Sequence, residues 1–319
     1  MQHPLSPVIS TNLVMTFHSV PSGAWFRRAL EAIGRWYRFV GVEEVCDYFE
    51  GRQRFNDCCL VTFDDGERSF ADQALPVLEA MDVPAVLFVS PGVLGSGRNY
   101  WFQDLRTLRA EVGDDVIRQA AVVQLGVPAE KVAGYGVPAL MKSLQLEEIR
   151  RLLDDLAAQR GVRFDQRWNL TLDEAAALDH HSLVTIGAHS MHHPILANET
   201  DGVAEQEIAG SVAALHALLG RSVDLFAYPN GARGLDFGVR EQQMLREWGV
   251  RLAFATDTGF FDGNTDPLAI PRAALSGDES VREIQARLAA VPVWDRLRTG
   301  RERKEREARS STFSAKSNH

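Results

Sequence analysis

The chain has 319 residues, 45% of them hydrophobic, three cysteines and a formal net charge of −9. The acidic balance argues against a general nucleic-acid binder, whose phosphate contacts need a basic surface, and three cysteines are too few for a disulfide framework, so Cys46, Cys58 and Cys59 read as reduced. No apolar run reaches membrane-spanning length and the N-terminus has no basic region leading into an apolar core, so the expected setting is cytoplasmic, without stable membrane insertion.

Thr11 to Phe17 reads as the first strand and ends at His18-Ser19-Val20-Pro21. Apolar residues at helical spacing follow from Trp25 to Val40, with Trp36 assigned to the core, and Val42 to Phe49 forms a second short helix. Cys58 to Phe63 is a run of β-formers that stops abruptly in Asp64-Asp65-Gly66. Neighbouring side chains of an extended chain point to opposite sides, so the two aspartates should not do the same job; a plain Asp-Gly turn is the alternative. Ala71 to Met81, helical around Pro76, leads into the strand Val83 to Val89 and completes one β-α-β step. Gly92 to Leu178 is helical in pattern: Leu144 to Ala158 places Leu146, Ile149, Leu152, Leu153 and Leu156 on one face and stops at Gly161, and Thr171-Leu172-Asp173-Glu174 is a capping box. This stretch reads as an insertion, about 98–180, and not as a second core.

Another apolar run, Leu183 to Ala188, ends in His189-Ser190-Met191-His192-His193. On one turn of helix His189 and His193 face the same way, which presents two imidazoles to one metal ion, while His192 points elsewhere. Catalytic zinc sites commonly take three protein groups, and a carboxylate from Asp64 or Asp65 would complete the set. Val203 to Leu219 is a further helix, Val223 to Tyr228 a strand ending in Pro229-Asn230-Gly231, and Val250 to Thr256 the last strand, followed by a glycine-rich loop and Leu268 to Arg272. From Trp294 onward arginines alternate with glutamates, which suits an exposed, partly disordered tail over 294–319; weak peripheral attraction to anionic headgroups is the other reading of it.

Thr62-Phe63-Asp64-Asp65-Gly66 together with His189 to His193 resembles the two leading motifs of the polysaccharide deacetylase family, metal-dependent carbohydrate esterases related to chitooligosaccharide deacetylases. The resemblance covers roughly residues 8–272. It implies an α/β fold, a distorted (β/α)7-type barrel with a helical insertion, occupying residues 1–293. It also implies that Asp64 is the general base and that Asp65, His189 and His193 hold one divalent metal, zinc first, with Co2+ or Ni2+ as alternatives. Tyr228-Pro229-Asn230-Gly231 is similar to the family's third motif, which makes the backbone amide of Asn230 an oxyanion donor and sets Tyr228 and Pro229 at the substrate. Ala227 stands where many members carry an arginine, and Arg272 is the candidate to replace that charge beside Asp64; a surface arginine is the alternative. No histidine follows His216 except His319, so the family's late general acid is missing and His18, at a strand end that would face the site, is the first candidate; a turn histidine bonded to a carbonyl is the alternative. Asn99 to Asp104 resembles a stretch near the sugar in surface-polysaccharide members, which makes Trp101 a stacking platform, or else part of the helix packing.

The chemistry implied is metal-assisted hydrolysis of an acyl amide, most simply an N-acetyl group on an amino sugar in a polysaccharide, a lipid-linked intermediate or a nucleotide-linked precursor. A deformylase or another non-peptide amidohydrolase fits the same motifs, and a sugar-binding module that has lost turnover is the reading from a different class. No nucleic-acid partner is expected, and the sequence leaves the oligomeric state open.

Overall fold

A computed structural model describes residues 11–126, 128–275, 277 and 279–288. The tail from 294 to 319, His319, and the first residues of the chain lie outside the described residues. Among the described residues no helix is long and apolar enough to cross a membrane.

The strands are β1 (Leu13–Phe17), β2 (Arg38–Phe39), β3 (Cys58–Phe63), β4 (Ala85–Val89), β5 (Val184–Ala188), β6 (Leu225–Ala227), β7 (Leu252–Phe254) and β8 (Ala273–Ala274). They pair in the order β7-β6-β5-β4-β3-β1-β8, with β2 on β3, and every pairing is parallel. The sheet curls until its edges meet. Ile270 exchanges hydrogen bonds with Ala253 and Ala255 at β7, and four residues later Ala274 pairs with Thr16 of β1. This is the expected distorted α/β barrel, closed by the short segment 270–274 and not by a full strand.

Strand parity decides which residues can reach the interior. In β1, β3, β4 and β5 one set of alternate residues, including Met15, Val61, Leu87 and Ile186, packs outward with α1 (Gly23–Ile33) and its neighbours. The other set, including Val14, Leu60, Val86 and Phe88, fills the barrel with residues of β6 and β7. Both faces are apolar because both are covered, which is why these strands read as unbroken hydrophobic runs. Gly187 belongs to the inner set, and a Cβ there would lie 2.5 Å from the Phe88 ring. Its hydrogen is what lets that ring into the barrel.

The first helices are α1 and α2 (Val42–Phe49), after which a π-turn over Phe70–Ala74 runs into α3 (Leu75–Met81). Pro76 therefore sits in the first turn of α3, directly after the π-turn in which the Leu75 N–H bonds the Phe70 carbonyl. Trp36, expected in the core, is 47% exposed, because α1 ends at Ile33 and Trp36 falls in the turn beyond it.

Among the described residues seven helices separate β4 from β5: α4 (Pro91–Ser96), α5 (Trp101–Val112), α6 (Asp114–Leu125), α7 (Ala129–Val132), α8 (Val137–Met141), α9 (Leu146–Arg160) and α10 (Leu172–Leu178). Gly161 ends α9 in the left-handed conformation, and Thr171 caps α10 through its hydroxyl with Glu174 reciprocating. Contrary to the expectation of a coreless insertion, α5, α6, α8 and α9 bury an apolar cluster of their own. Leu105, Leu108, Ile117, Leu140, Ile149 and Leu153 meet there, and Ile195 joins them from just beyond the histidine motif. After β5 come α11 (Asp201–Leu219) and α12 (Val239–Glu247).

Candidate metal and hydrolytic site

Parity carries straight into the chemistry. Leu60, Thr62 and Asp64 continue the inward series of β3, and Asp64 is 2% exposed at the strand's C-terminal end. By alternation Asp65 should face outward. It does not, because its backbone is left-handed (φ 72°), and this turns its carboxylate towards the histidines. Asp tolerates that conformation better than most residues.

His189 leaves β5 on the inner side. Its Nδ1 lies 2.7 Å from the Ala227 carbonyl; a carbonyl can only accept, so Nδ1 carries the proton and Nε2 presents a lone pair. The residue at the place of the family's arginine thus acts through its backbone. Ser90, the inward residue following Phe88, bonds the His189 carbonyl at 2.7 Å.

The segment 189–193 is not the helical turn expected from the spacing. It is a loop in which Ser190 (φ 57°) and His193 (φ 61°) are both left-handed, and the Ser190 hydroxyl accepts from the His193 amide at 3.0 Å. His192 does point away. Glu207 of α11 holds it through its backbone N–H at 2.7 Å and its ring at 2.8 Å.

Asp65 Oδ1 lies 3.6 Å from His189 Nε2 and 3.5 Å from His193 Nε2, too far for good hydrogen bonds. One donor atom from each residue falls within 4.8 Å of the others, in the single His, Cys, Asp or Glu group of this kind among the described residues. All three side chains are buried. Burial lowers His189 to about 4, and burial with the neighbouring imidazole puts His193 well below its usual value, so both rings are neutral near pH 7. Burial, then the adjacent Asp64 charge, pushes Asp65 well above the carboxylate range. Its Oδ1 has no hydrogen-bond partner. A buried carboxylate oxygen without a donor, facing two neutral imidazole nitrogens, is a donor set that fits a divalent cation.

Asp64 is different. Burial alone would raise it, but Arg272 outweighs burial with bonds of 2.8 and 2.7 Å and holds it ionised, below the usual range. Arg272 is itself buried, and its Nε donates to the Ala255 carbonyl at 2.9 Å. The surface alternative for Arg272 is therefore excluded.

His18, the next inward residue after Thr16, has Nε2 3.9 Å from Asp64 Oδ2 and a side chain 51% exposed. It forms no hydrogen bond to a carbonyl among the described residues, and it borders a cavity of about 350 Å³ with both aspartates, both motif histidines and Asn230. Asn230 is left-handed (φ 59°), and its buried Nδ2 has no partner.

Three expected substrate contacts take other roles. Tyr228 follows the inward Ala227 and so faces outward: it is fully buried against Phe237, rings 3.6 Å apart, with its hydroxyl on the Leu268 carbonyl at 2.8 Å. Pro229 is buried in the turn, its carbonyl accepting from Gly231 at 2.7 Å. Trp101 borders the cavity but is 1% exposed, leaving no free ring face for a sugar, and its indole N–H donates to the His193 carbonyl at 3.1 Å. It braces the histidine loop instead. Two aromatic rings flank His193, Phe102 at 5.2 Å and Tyr100 at 5.3 Å, and the sequence reading places neither beside it.

Residues 164–253 match a family model described as Polysaccharide deacetylase. That segment contains the histidine motif and the Asn230 turn, while Asp64 and Asp65 lie outside it. No curated protein matches the chain. Among solved structures, IcaB from Ammonifex degensii is similar at 19% identity and a TM-score of 0.58, over 87% of this chain and 96% of that one. The Streptococcus pyogenes deacetylase PplD, in complex with acetate, gives 16% and 0.57 over 88% and 98%. The deacetylase domain of BpsB from Bordetella bronchiseptica gives 14% and 0.53 over 84% and 98%. At these identities the likeness is one of fold, and it agrees with the barrel described above.

Proposed function

We propose, from the match of residues 164–253 to the polysaccharide deacetylase family model and from the site built around it, that this chain hydrolyses the N-acetyl group of an amino sugar. The observation that supports this most directly is the juxtaposition of two unlike sites: a buried carboxylate whose Oδ1 has no hydrogen-bond partner and which faces two neutral imidazoles, beside a carboxylate paired with Arg272.

Asp65, His189 and His193 would hold one divalent ion, zinc first, since nitrogen and carboxylate donors suit it. Such an ion supplies Lewis acidity towards the acyl oxygen and acidifies water. Asp64, kept ionised by Arg272, accepts the proton of the attacking water as the oxygen bonds to the acyl carbon. The Asn230 amide donates to the oxygen that gains charge. His18, near Asp64 and open to the cavity, returns a proton to the amine as the carbon-nitrogen bond breaks. The products are acetate and a free amino sugar. The cytoplasmic setting remains part of this proposal, and three buried free cysteines accord with it.

The test combines metal analysis of the purified chain with acetate and formate release from N-acetyl and N-formyl amino sugars. Acetate release that tracks metal content supports the reading; formate release alone would make the chain a deformylase, and release of neither from a metal-loaded chain would refute it.

A further inference from the structure

We infer that the half of the cavity away from the aspartates is a subsite for an oxyanion, a phosphate ester or a carboxylate, carried by the acylated sugar. The inference rests on reading the site as a sugar deacylase and narrows its substrate to an anionic one.

Phe102, Leu105, Arg106 and Arg109 all border the cavity. They stand at i, i+3, i+4 and i+7 of α5, so they form one stripe along the helix. The stripe begins at the histidines, where Phe102 packs on His193. At a helical rise of about 1.5 Å per residue, Arg106 and Arg109 follow about 6 and 10 Å further along. Lys142, which caps the C-terminus of α8, borders the same cavity. Three cations thus border one cavity in a chain whose formal charge is −9.

Their charges are unequally matched. Arg109 is held by Asp114 at 2.7 and 2.8 Å. Arg106 lies over the Trp168 ring, 4.3 Å from its centroid, and neither it nor Lys142 forms an ion pair among the described residues. Arg106 lowers Glu67 through space, against a larger rise from burial, without bonding to it. Neither cation is needed by Asp64, which Arg272 already neutralises. A guanidinium stacked on an indole keeps its edge N–H groups free for two oxygens of one phosphate or carboxylate.

The wall is also rigid. Asn198 fixes the Lys142 and Leu144 carbonyls at 2.8 and 2.9 Å, and α5 is anchored by Leu105 and Leu108 in the insertion's own core. A neutral acetylated glycan would leave Arg106 and Lys142 facing only water. A sugar with its charge one or two helical turns from the acyl group, as a phosphate on the anomeric carbon or a neighbouring uronate, would engage both.

Calorimetry on the full-length chain tests this with three probes: a nucleoside diphosphate N-acetylhexosamine, an N-acetylhexosamine-hexuronate disaccharide, and a neutral N-acetylhexosamine disaccharide. At least one anionic probe should bind about tenfold tighter than the neutral one, as charge-assisted hydrogen bonds allow, and the advantage should shrink in high salt. Which anionic probe gains identifies phosphate or carboxylate as the natural group. The double substitution Arg106→Gln, Lys142→Gln should remove the advantage, and Arg106→Lys should keep part of it. Equal binding of neutral and anionic probes, equal weakening of all three in the double variant, or no binding of either anionic probe would overturn the subsite. Acyl release measured in parallel separates the two readings. An intact anionic advantage without acyl release from any probe refutes the deacylase and leaves the subsite standing; release from all without the advantage does the reverse.

Discussion

Arg272 and Asp64, 208 residues apart, meet through two parallel hydrogen bonds of 2.8 and 2.7 Å at the point where the barrel closes. The same short segment that joins β7 to β1 delivers the guanidinium, so closure of the fold and ionisation of the proposed base are one event. Replacing Arg272 with Ala leaves a buried carboxylate unpaired, which should cost about 3–5 kcal/mol in a denaturant titration. Asp64 contributes stability above its unfolded pKa of about 4, lost as pH falls through its lower folded value. Without Arg272 that folded value rises, so the acidic limb of the pH-rate profile should move upward. Lys should rescue only in part, lacking the planar fork. An unmoved acidic limb in both variants would remove Arg272 from the chemistry.

The ligand set predicts a graded loss of metal. His189→Ala and His193→Ala should each lower metal content and activity together, and the double variant should bind none. Metal occupancy equal to the parent in the double variant, measured by elemental analysis, would show that the ion sits elsewhere.

The two aspartates should separate cleanly. Asp64→Asn should keep the metal and lose about 10²–10⁴ of turnover, the range for a positioned general base, whereas Asp65→Asn should weaken metal binding itself. If Asp64→Asn turned over near normally, the base would have to be another group.

Much of this was legible in the sequence because the strands obey a period of two. Once Cys58–Phe63 is a strand buried on both faces, the inward place of Asp64 follows, and the same parity puts His18 and His189 on the inside. What misled were residues where the backbone leaves that period. Asp65 and His193 reach the site through left-handed conformations that no spacing rule reports, and the histidines were expected on a helix for that reason. Tyr228 shows the reverse: counted one residue beyond the inward Ala227, it had to face away. The carbonyl of Ala227, which sets the His189 tautomer, has no side-chain signature at all.

Trp101 offers a test of that correction. Trp101→Phe removes one buried hydrogen bond to the histidine loop and should cost about 1 kcal/mol, with weaker metal retention and little change in which sugar is preferred. Trp101→Ala should cost about 3–5 kcal/mol by opening a cavity. A stacking platform would behave otherwise: KM for sugar substrates would rise sharply in Trp101→Ala while unfolding and metal content stayed at the parent values.

The last assignment to test is His18 as proton donor. It is the one histidine at the cavity that is neither in the proposed ligand set nor bonded to a carbonyl, and its Nε2 is 3.9 Å from the oxygen that would accept the water's proton. An amine leaving group needs a proton to depart, whereas an activated phenol leaves as its anion. His18→Ala should therefore lower turnover of an N-acetyl sugar by about 10²-fold or more and change an activated acetate ester far less. The alkaline limb of the amide profile should vanish, since it reports loss of the donor's proton. His18→Gln, which keeps the shape of the side chain without a titrating nitrogen, should behave like His18→Ala. Equal losses on amide and ester with the alkaline limb retained would make His18 a structural residue and leave the proton to come from another group.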